Sequence, residues 1–280
     1  MRGSLSTAHH ATGHPRAAAV ASAVRRTHSL PAEIAVILVT MLAWQVLRLP
    51  FEVSAERAVA ATRALVDLER HLGAYREPGI VTFVQSHHDL ARVVRWWYGH
   101  MDEGPVLGIL VAMWFIDPAR YPVVRTAFVL AHLPALALLA LYPSAPPRWL
   151  AGYPYGAGPP PGWEGGLRNS TAAVVSLHVG IPLLLAVAAV WMRPRAPLAW
   201  ALWAFPAVVL FVITGTGNHL FADAVLGAAC AMAGWWAALR LHGPVPRGAP
   251  RAGPGPTGLA AAGSAGAVMA VAALMFGGLA

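Results

Sequence analysis

The amino-acid sequence predicts an all-α fold, a polytopic bundle of transmembrane helices with amphipathic helices at the membrane interface. Three observations support this fold class. Hydrophobic residues make up 57% of the 280-residue chain and charged residues only 11%, whereas a soluble domain carries about 25% charged residues. Several apolar segments approach or exceed the roughly 20 residues that span a bilayer. The 20 basic residues, all of them arginine, lie mainly between those segments.

The apolar segments divide the chain into a membrane domain at 31–242 and three smaller parts. Residues 1–30 have little apolar periodicity and are expected to form a disordered cytoplasmic tail. Residues 52–100 mix charges with apolar positions at helical spacing, which predicts interfacial helices. A Pro- and Gly-rich linker at 243–256 precedes an additional transmembrane helix at 257–280. The predicted six-span core comprises segments 33–50, 104–117, 122–142, 172–192, 197–216 and 219–241.

The net charge of +8 follows from arginine in the loops, so we expect topological charge rather than a nucleic-acid partner. The loops at 118–125, 193–195 and 240–251 are basic, and one topology places all of them on the cytoplasmic side. The loops at 143–171 and 214–219 then face outward. Abundant Ala, Gly and Pro without lysine suggests a bacterial genome, so we expect a multi-pass protein of a bacterial cell membrane.

The first outward segment with polar residues is 142–150 (YPSAPPRWL). Its prolines end the preceding helix and stiffen the loop. Arg148 could bind a phosphate through two parallel hydrogen bonds. The alternative is that Arg148 only extends its side chain to the membrane interface.

The second outward segment is 169–182 (NSTAAVVSLHVGIP). Asn169 or Ser170 is expected to cap a helix, which would place His178 about two turns further on. A lone histidine in an apolar helix is more often a core residue. The predicted depth of His178 matches that of the third segment, which favours a functional role.

The third outward segment, 214–223 (TGTGNHLFAD), places His219 and Asp223 four residues apart. Side chains at that spacing share one helix face, with Cβ atoms about 5–6 Å apart, so the carboxylate can orient the imidazole as a nucleophile or base. We expect Asn218 to cap the following helix, whose N–H groups would form an anion site. A buried structural pair is the alternative, but the cost of a carboxylate in a membrane favours function.

These segments contain three motifs in chain order, namely Ala145-Pro-Pro147, Ser176-Leu-His178, and Asn218-His219 with Asp223. Together they resemble the type 2 phosphatidic acid phosphatase superfamily of membrane enzymes. The closer likeness is to its inositol phosphorylceramide synthase-like branch, and it covers roughly residues 120–241. The Ser-Leu-His motif alone would be weak support, whereas the ordered trio in outward loops is strong support.

The resemblance implies an enzyme, without metal or cofactor, that hydrolyses or transfers a lipid phosphate ester at the extracytoplasmic face. His219 would form a phosphohistidine and Asp223 would orient it. His178 would protonate the leaving oxygen and then activate water or an alcohol acceptor such as inositol. Arginine and helix N-termini would supply the electrostatic stabilisation. Hydrolysis and transfer both remain open, as do the lipid and the oligomeric state.

The sequence departs from the superfamily pattern where phosphate is bound. Val175 replaces the proline of a Pro-Ser-x-His segment, Ile213 replaces an arginine six residues before His219, and a Lys-x6-Arg-Pro segment is absent. Other groups must therefore bind the phosphate. The candidates are Arg148 or Arg168, the backbone with Thr214 or Thr216, and the polar residues Asn169, Ser176 and Asn218.

Two other classes of function remain open. Histidine and aspartate in a membrane could form the proton relay of a transporter, although the ionisable residues cluster at one face and no internal repeat is visible. The chain could also be a catalytically degenerate family member that acts as a binding protein, because the arginine at Ile213 is missing. The intact His178, His219 and Asp223 argue against degeneracy.

Overall fold

The computed structural model describes residues 29–101, 103–156, 158–159 and 169–244. Every regular element in this part of the chain is a helix, and one isolated bridge joins Ser144 to Ala172. The α-helices are α1 Leu30–Leu47, α2 Ala55–His71, α3 Glu77–Ser86, α4 His88–Tyr98, α5 Glu103–Ile116, α6 Tyr121–Leu141, α7 Leu177–Met192, α8 Pro197–Ala201, α9 Ala204–Gly215 and α10 Phe221–His242.

Four segments of the described chain are long and apolar enough to cross a membrane, Leu30–Phe51, Tyr121–Leu141, Pro197–Gly215 and Phe221–His242. The shorter apolar helices Gly104–Ile116 and Leu177–Met192 correspond to the other predicted spans. Large apolar side chains such as Leu42 and Val225 are exposed on these helices, as expected for surfaces that contact lipid. The predicted all-α membrane bundle is confirmed. The predicted tail and linker lie almost entirely, and the span at 257–280 wholly, outside the described residues.

Two predicted boundaries are corrected. The span expected at 172–192 begins only at Leu177, because residues 169–176 form an irregular loop. The span expected at 197–216 is interrupted between α8 and α9. Pro206 explains the interruption, since it has no N–H to donate to the carbonyl of Leu202. Residues 52–100, where the sequence predicts several interfacial helices, contain α2, α3 and α4.

The polar loops lie at one end of the bundle and the arginine-rich turns at the other. At the arginine end, Arg120 donates to the carbonyl of Met192 at 2.9 Å, and Arg125 pairs with Glu33 at 2.8 Å. The loops that follow α6, precede α7 and precede α10 meet at the opposite end. The two ends therefore differ in the residues that they can present to a ligand.

Small residues let α10 approach α6 and α7 closely. Gly234 faces the backbone of α6, and Gly227 faces the backbone of Ser176 at the start of α7. Gly180 in turn packs against the carbonyl of Gly227. Close backbone approach at small residues is the usual packing of membrane helices. It places the first turn of α7, which carries His178, directly beside the first turns of α10.

Candidate active site

His219 lies in the turn between α9 and α10, and its side chain is buried. Its Nδ1 is 2.9 Å from the carbonyl oxygen of Ala173 and 3.5 Å from Oδ2 of Asp223. Because a carbonyl oxygen can only accept, Nδ1 carries the hydrogen in the neutral ring. Nε2 is then the nitrogen with the free lone pair, which is the tautomer required for nucleophilic attack by Nε2.

Asp223 contacts His219, but the closest partner of its carboxylate is the backbone. Oδ2 accepts a hydrogen bond from the Leu220 N–H at 2.9 Å. Leu220 is the N-cap residue of α10, so the expected cap by Asn218 is wrong. The Asn218 side chain instead donates to the Thr216 hydroxyl at 2.8 Å. A carboxylate 3.5 Å from Nδ1 can still hold the imidazole in a fixed orientation.

The N-terminus of α10 is already capped by carboxyl groups of the protein. Besides Asp223, Glu77 of α3 accepts from the Phe221 N–H at 2.8 Å, and Glu69 of α2 accepts from the Ala222 N–H at 2.6 Å. The sequence predicted these N–H groups as an anion site for the substrate. That prediction is wrong, because the N–H groups at the start of α10 already donate to carboxyl groups of the protein and are not free to bind a substrate anion.

His178 is the second residue of α7 and lies beside His219. The centroids of the two imidazole rings are 5.3 Å apart, and the ring planes make an angle of 68°. The ring of Tyr98 in α4 also packs against the His178 imidazole, with a centroid distance of 5.7 Å. The two histidines are therefore close enough to act on one phosphate group.

The backbone before His178 explains why α7 begins late. Val175 has a φ of 65°, a left-handed conformation that is unusual for a β-branched residue. Proline, whose φ is fixed near −65°, could not adopt it, so this loop requires the departure from the superfamily proline. Ser176 then forms an inverse γ-turn in which the Leu177 N–H donates to the Val175 carbonyl at 2.9 Å. The helix starts immediately afterwards.

Arg148 is the predicted phosphate-binding residue whose position best fits that role. Its side chain is exposed and forms no ion pair within the described part of the chain. Its backbone N–H donates to the carbonyl of Gly217 at 3.0 Å, which joins the Arg148 loop to the His219 turn. Gly217 has a φ of 69°, a conformation that glycine adopts without steric cost. Arg168 lies outside the described residues.

The position of the missing superfamily arginine does not face the site. Ile213 is fully buried in an apolar cluster that includes Val84 and Val179. An arginine there would be an unpaired charge in an apolar environment, which is strongly unfavourable. Phosphate binding must therefore come from other residues of this chain.

Three further predicted binding residues have little access to a ligand in this conformation. The Asn169 side chain donates to the Arg48 carbonyl at 2.6 Å and accepts from the N–H and hydroxyl of Thr171 at 2.9 Å each, which indicates a structural role. The hydroxyls of Ser176 and Thr214 have no hydrogen-bond partner among the described residues, but both side chains are buried. Their role in substrate binding stays a prediction that requires the site to open.

The sequence analysis missed three groups at this site, the Ala173 carbonyl, Glu69 and Glu77. The carbonyl carries no sequence signal, because any residue has one. Glu69 does carry a signal. It lies three residues after Val66 on the buried face of α2, together with Ala58 and Thr62. An acid on the apolar face of an amphipathic helix indicates a buried partner.

A family model described as the PAP2 superfamily matches residues 63–237, more than half of the chain. The matched range includes His178, His219 and Asp223. The chain belongs to the PAP2 superfamily. None of the curated proteins and none of the solved structures compared with it matches the chain. As a PAP2 member embedded in a membrane, it is a phosphatase-type phosphoesterase, that is, a phosphoric ester hydrolase.

The close contact of α7 with α10 predicts that Gly227→Ala will impair this PAP2 protein. An added Cβ would overlap the backbone carbonyl of Ser176, and overpacking of this kind costs about 1–3 kcal/mol. We expect a lower Tm and a loss of phosphate release of roughly tenfold or more. The control is Gly79→Ala, where a Cβ meets nothing within 4 Å. Wild-type activity and Tm in Gly227→Ala would contradict the close contact.

Proposed function

We propose that this PAP2 protein is an integral membrane lipid phosphatase or phosphotransferase that acts through a phosphohistidine on His219. The observation that supports the proposal most strongly is the hydrogen bond from Nδ1 of His219 to the Ala173 carbonyl at 2.9 Å. This bond leaves Nε2 as the nucleophilic nitrogen. The adjacent His178 ring supplies a second group for proton transfer.

In the first step, Nε2 of His219 attacks phosphorus and the bond from phosphorus to the leaving oxygen breaks. His178 donates its proton to that oxygen, and the Asp223 carboxylate stabilises the positive charge that develops on the phosphorylated imidazole. In the second step, His178 takes a proton from water or an alcohol, whose oxygen attacks phosphorus. The phosphorus–nitrogen bond then breaks and the lone pair returns to Nε2.

A lipid phosphate at the extracytoplasmic face is the substrate class that the surroundings of the site favour. The site lies at one end of a membrane bundle, beside the amphipathic helices α2 to α4, so a lipid headgroup could reach it from the membrane. The arginines Arg120 and Arg125 lie at the opposite end, which the positive-inside rule assigns to the cytoplasm. We therefore infer an outward-facing site in a bacterial cell membrane.

The Ala-Pro-Pro loop supports the inositol phosphorylceramide synthase-like branch as the nearest functional type. Ala145 is buried against α2, where its N–H is 3.0 Å and its carbonyl 2.8 Å from the Thr62 hydroxyl. This anchor fixes the loop that carries Arg148 next to the His219 turn. Transfer of the phosphate to an alcohol acceptor such as inositol is then an alternative to hydrolysis, at the same site.

The proposed function is tested by phosphate release from a panel of lipid phosphates in EDTA. Purified protein would be given phosphatidate, lysophosphatidate, isoprenyl phosphates and phosphoinositides, with and without inositol. We expect release from at least one lipid, spared by EDTA, and a phosphoinositol product if transfer occurs. Absence of release and transfer from every lipid would contradict the proposal and favour a degenerate binding protein or a transporter.

Replacing Arg148 with glutamine should weaken substrate binding. A guanidinium hydrogen-bonded to phosphate contributes about 1.5–3 kcal/mol, so kcat/KM should fall roughly 10- to 150-fold, mainly through a higher KM. Arg92→Gln is the matched control, because Arg92 is an exposed arginine of α4 that pairs with Asp89. An unchanged kcat/KM in Arg148→Gln would exclude Arg148 as the phosphate-binding group.

A further inference from the structure

Two buried glutamates from different helices support the first turn of α10. Glu69 of α2 and Glu77 of α3 have exposed fractions of 3% and 0%. They accept from the consecutive N–H groups of Ala222 and Phe221, at 2.6 and 2.8 Å. These N–H groups begin two residues after His219, so the two acids position the turn that carries the nucleophile.

The hydrogen-bond partners of the two acids are unequal. Both oxygens of Glu77 accept, Oε1 from Phe221 and Oε2 from the N–H of Arg76 at 2.8 Å. Oε1 of Glu69 accepts from Ala222, but its buried Oε2 accepts from no N–H or hydroxyl group among the described residues. Neighbouring buried carboxylates do not both ionise readily. A proton on Oε2 of Glu69 would remove the repulsion and give this oxygen a hydrogen to donate to Glu77.

We propose that Glu69 and Glu77 share one proton, carried by Oε2 of Glu69 and donated to Glu77, and that this pair positions His219 through the first turn of α10. Neither acid contacts the reacting atoms, so both are positioning residues. The part of the inference that concerns activity rests on the proposed function. The part that concerns the proton does not depend on any activity.

The electrostatic environment supports the assignment of the proton to Glu69. Burial, a hydrogen bond with Glu77 and the charges of Glu77 and Asp223 raise the pKa of Glu69 from 4.5 to about 8, although the hydrogen bond from Ala222 opposes the shift. The groups that face the pair from the adjoining loops are the phenols Tyr75 and Tyr153. Neutral Glu69 therefore predominates at neutral pH.

The raised pKa of Glu69 determines the direction in which the stability of the folded protein changes with pH. Between about pH 4.5 and pH 8 the folded protein binds a proton at Glu69 that the unfolded chain has released. The contribution of Glu69 to stability is therefore complete below pH 4.5 and falls as the pH rises towards 8. Above that pH, a second negative charge lies beside Glu77, and the turn that carries His219 should loosen.

Replacement of Glu69 by glutamine and replacement of Glu77 by glutamine are expected to have opposite outcomes. In Glu69→Gln, the amide oxygen can accept from Ala222 and the amide N–H can donate to Glu77, as the neutral acid does. In Glu77→Gln, one of the two oxygens that accept from Phe221 and Arg76 becomes a donor, so two donors meet. We expect near wild-type activity and Tm for Glu69→Gln at pH 7. For Glu77→Gln we expect a loss of activity of roughly tenfold to a hundredfold, with a lower Tm.

The proton is tested directly by infrared difference spectroscopy of the full-length protein between pH 6 and pH 10. We expect the carbonyl band of a protonated carboxyl group, lost on titration near pH 8, in wild type and in Glu56→Gln, an exposed control on α2. Glu69→Gln should lack this band. A titrating band that persists in Glu69→Gln, or equal losses of Tm in Glu69→Gln and Glu77→Gln, would overturn the inference. Neither result would affect the proposed function, which the lipid panel tests separately.

Discussion

Replacement of His219 by alanine will abolish phosphate release from every lipid that the wild-type protein accepts. The variant has no nitrogen to form the bond to phosphorus, so the covalent pathway is closed rather than slowed. Removal of a catalytic nucleophile typically costs about 10³-fold or more in kcat. Phosphate release from a lipid substrate, measured over hours at saturating concentration, checks the prediction.

The control for His219→Ala is His88→Ala, because His88 is an exposed histidine of α4. It should retain wild-type rates. His219 also donates to the Ala173 carbonyl, so the alanine variant could lose stability as well as chemistry. A measurement of Tm for both variants separates the two effects. Retention of more than a tenth of the wild-type rate in a folded His219→Ala protein would exclude His219 as the nucleophile.

Replacement of His178 by glutamine will slow the reaction of lipid phosphates by about 10²–10⁴-fold, the usual contribution of a general acid or base. The loss should depend on the leaving group. An alkoxide from a lipid needs a proton as it departs, whereas the phenolate of 4-nitrophenyl phosphate does not. With the aryl substrate, the first step should survive and the second step, which needs a base, should become limiting. We therefore expect a burst of nitrophenolate followed by slow turnover.

A matched control for this experiment is His132→Gln. His132 also lies in an apolar helix, α6, where it packs against Trp44 and donates from Nδ1 to the Phe128 carbonyl at 2.8 Å. Its loss should affect Tm without any dependence on the leaving group. Equal losses on lipid and aryl substrates in His178→Gln, without a burst, would contradict the assignment of His178 as acid and base.

Four membrane-spanning segments could be predicted from the sequence, because length and apolar composition decide them. The ends of the helices could not. Residues 172–176 (AAVVS) are apolar and continuous with α7, so they resemble one more helical turn. They form a loop because the backbone pairs elsewhere. The Ala173 N–H donates to Ser144 at 3.0 Å, and the Ser176 N–H donates to the Asp223 carbonyl at 2.9 Å. These partners are fixed by tertiary packing.

The parts of the candidate site that lie close together in the sequence could be predicted. The spacing of His219 and Asp223 is four residues, and the structure brings the two side chains to 3.5 Å. The groups that complete the site are distant in sequence. The carbonyl that fixes the tautomer of His219 belongs to Ala173, 46 residues away, and the acids that cap α10 are 144 and 153 residues from their partners. A local pattern can indicate that a residue such as Glu69 has a buried partner, but it does not show which residue that partner is.

The predicted substrate site at the N-terminus of α10 shows the limit of a general rule. Helix N-termini do attract anions, and the rule is obeyed here. The first turn is occupied by carboxyl groups of the protein itself, those of Glu69, Glu77 and Asp223, which accept from its N–H groups in place of an anionic ligand. The sequence could not show whether these N–H groups would bind a substrate anion or a carboxyl group of the protein. It follows that Arg148, beside Gly217, is the stronger candidate for contact with the substrate phosphate.

The central claim is most directly tested by trapping the covalent intermediate. The full-length protein would be mixed with a lipid phosphate for less than one turnover, denatured in alkali, in which phosphohistidine survives, and digested for mass spectrometry. His178→Gln with 4-nitrophenyl phosphate should increase the trapped fraction. We predict one phosphate, lost on brief treatment with acid, on the peptide that contains His219. Complete turnover with no phosphorylated histidine under these conditions, or phosphate on another residue, would contradict the account.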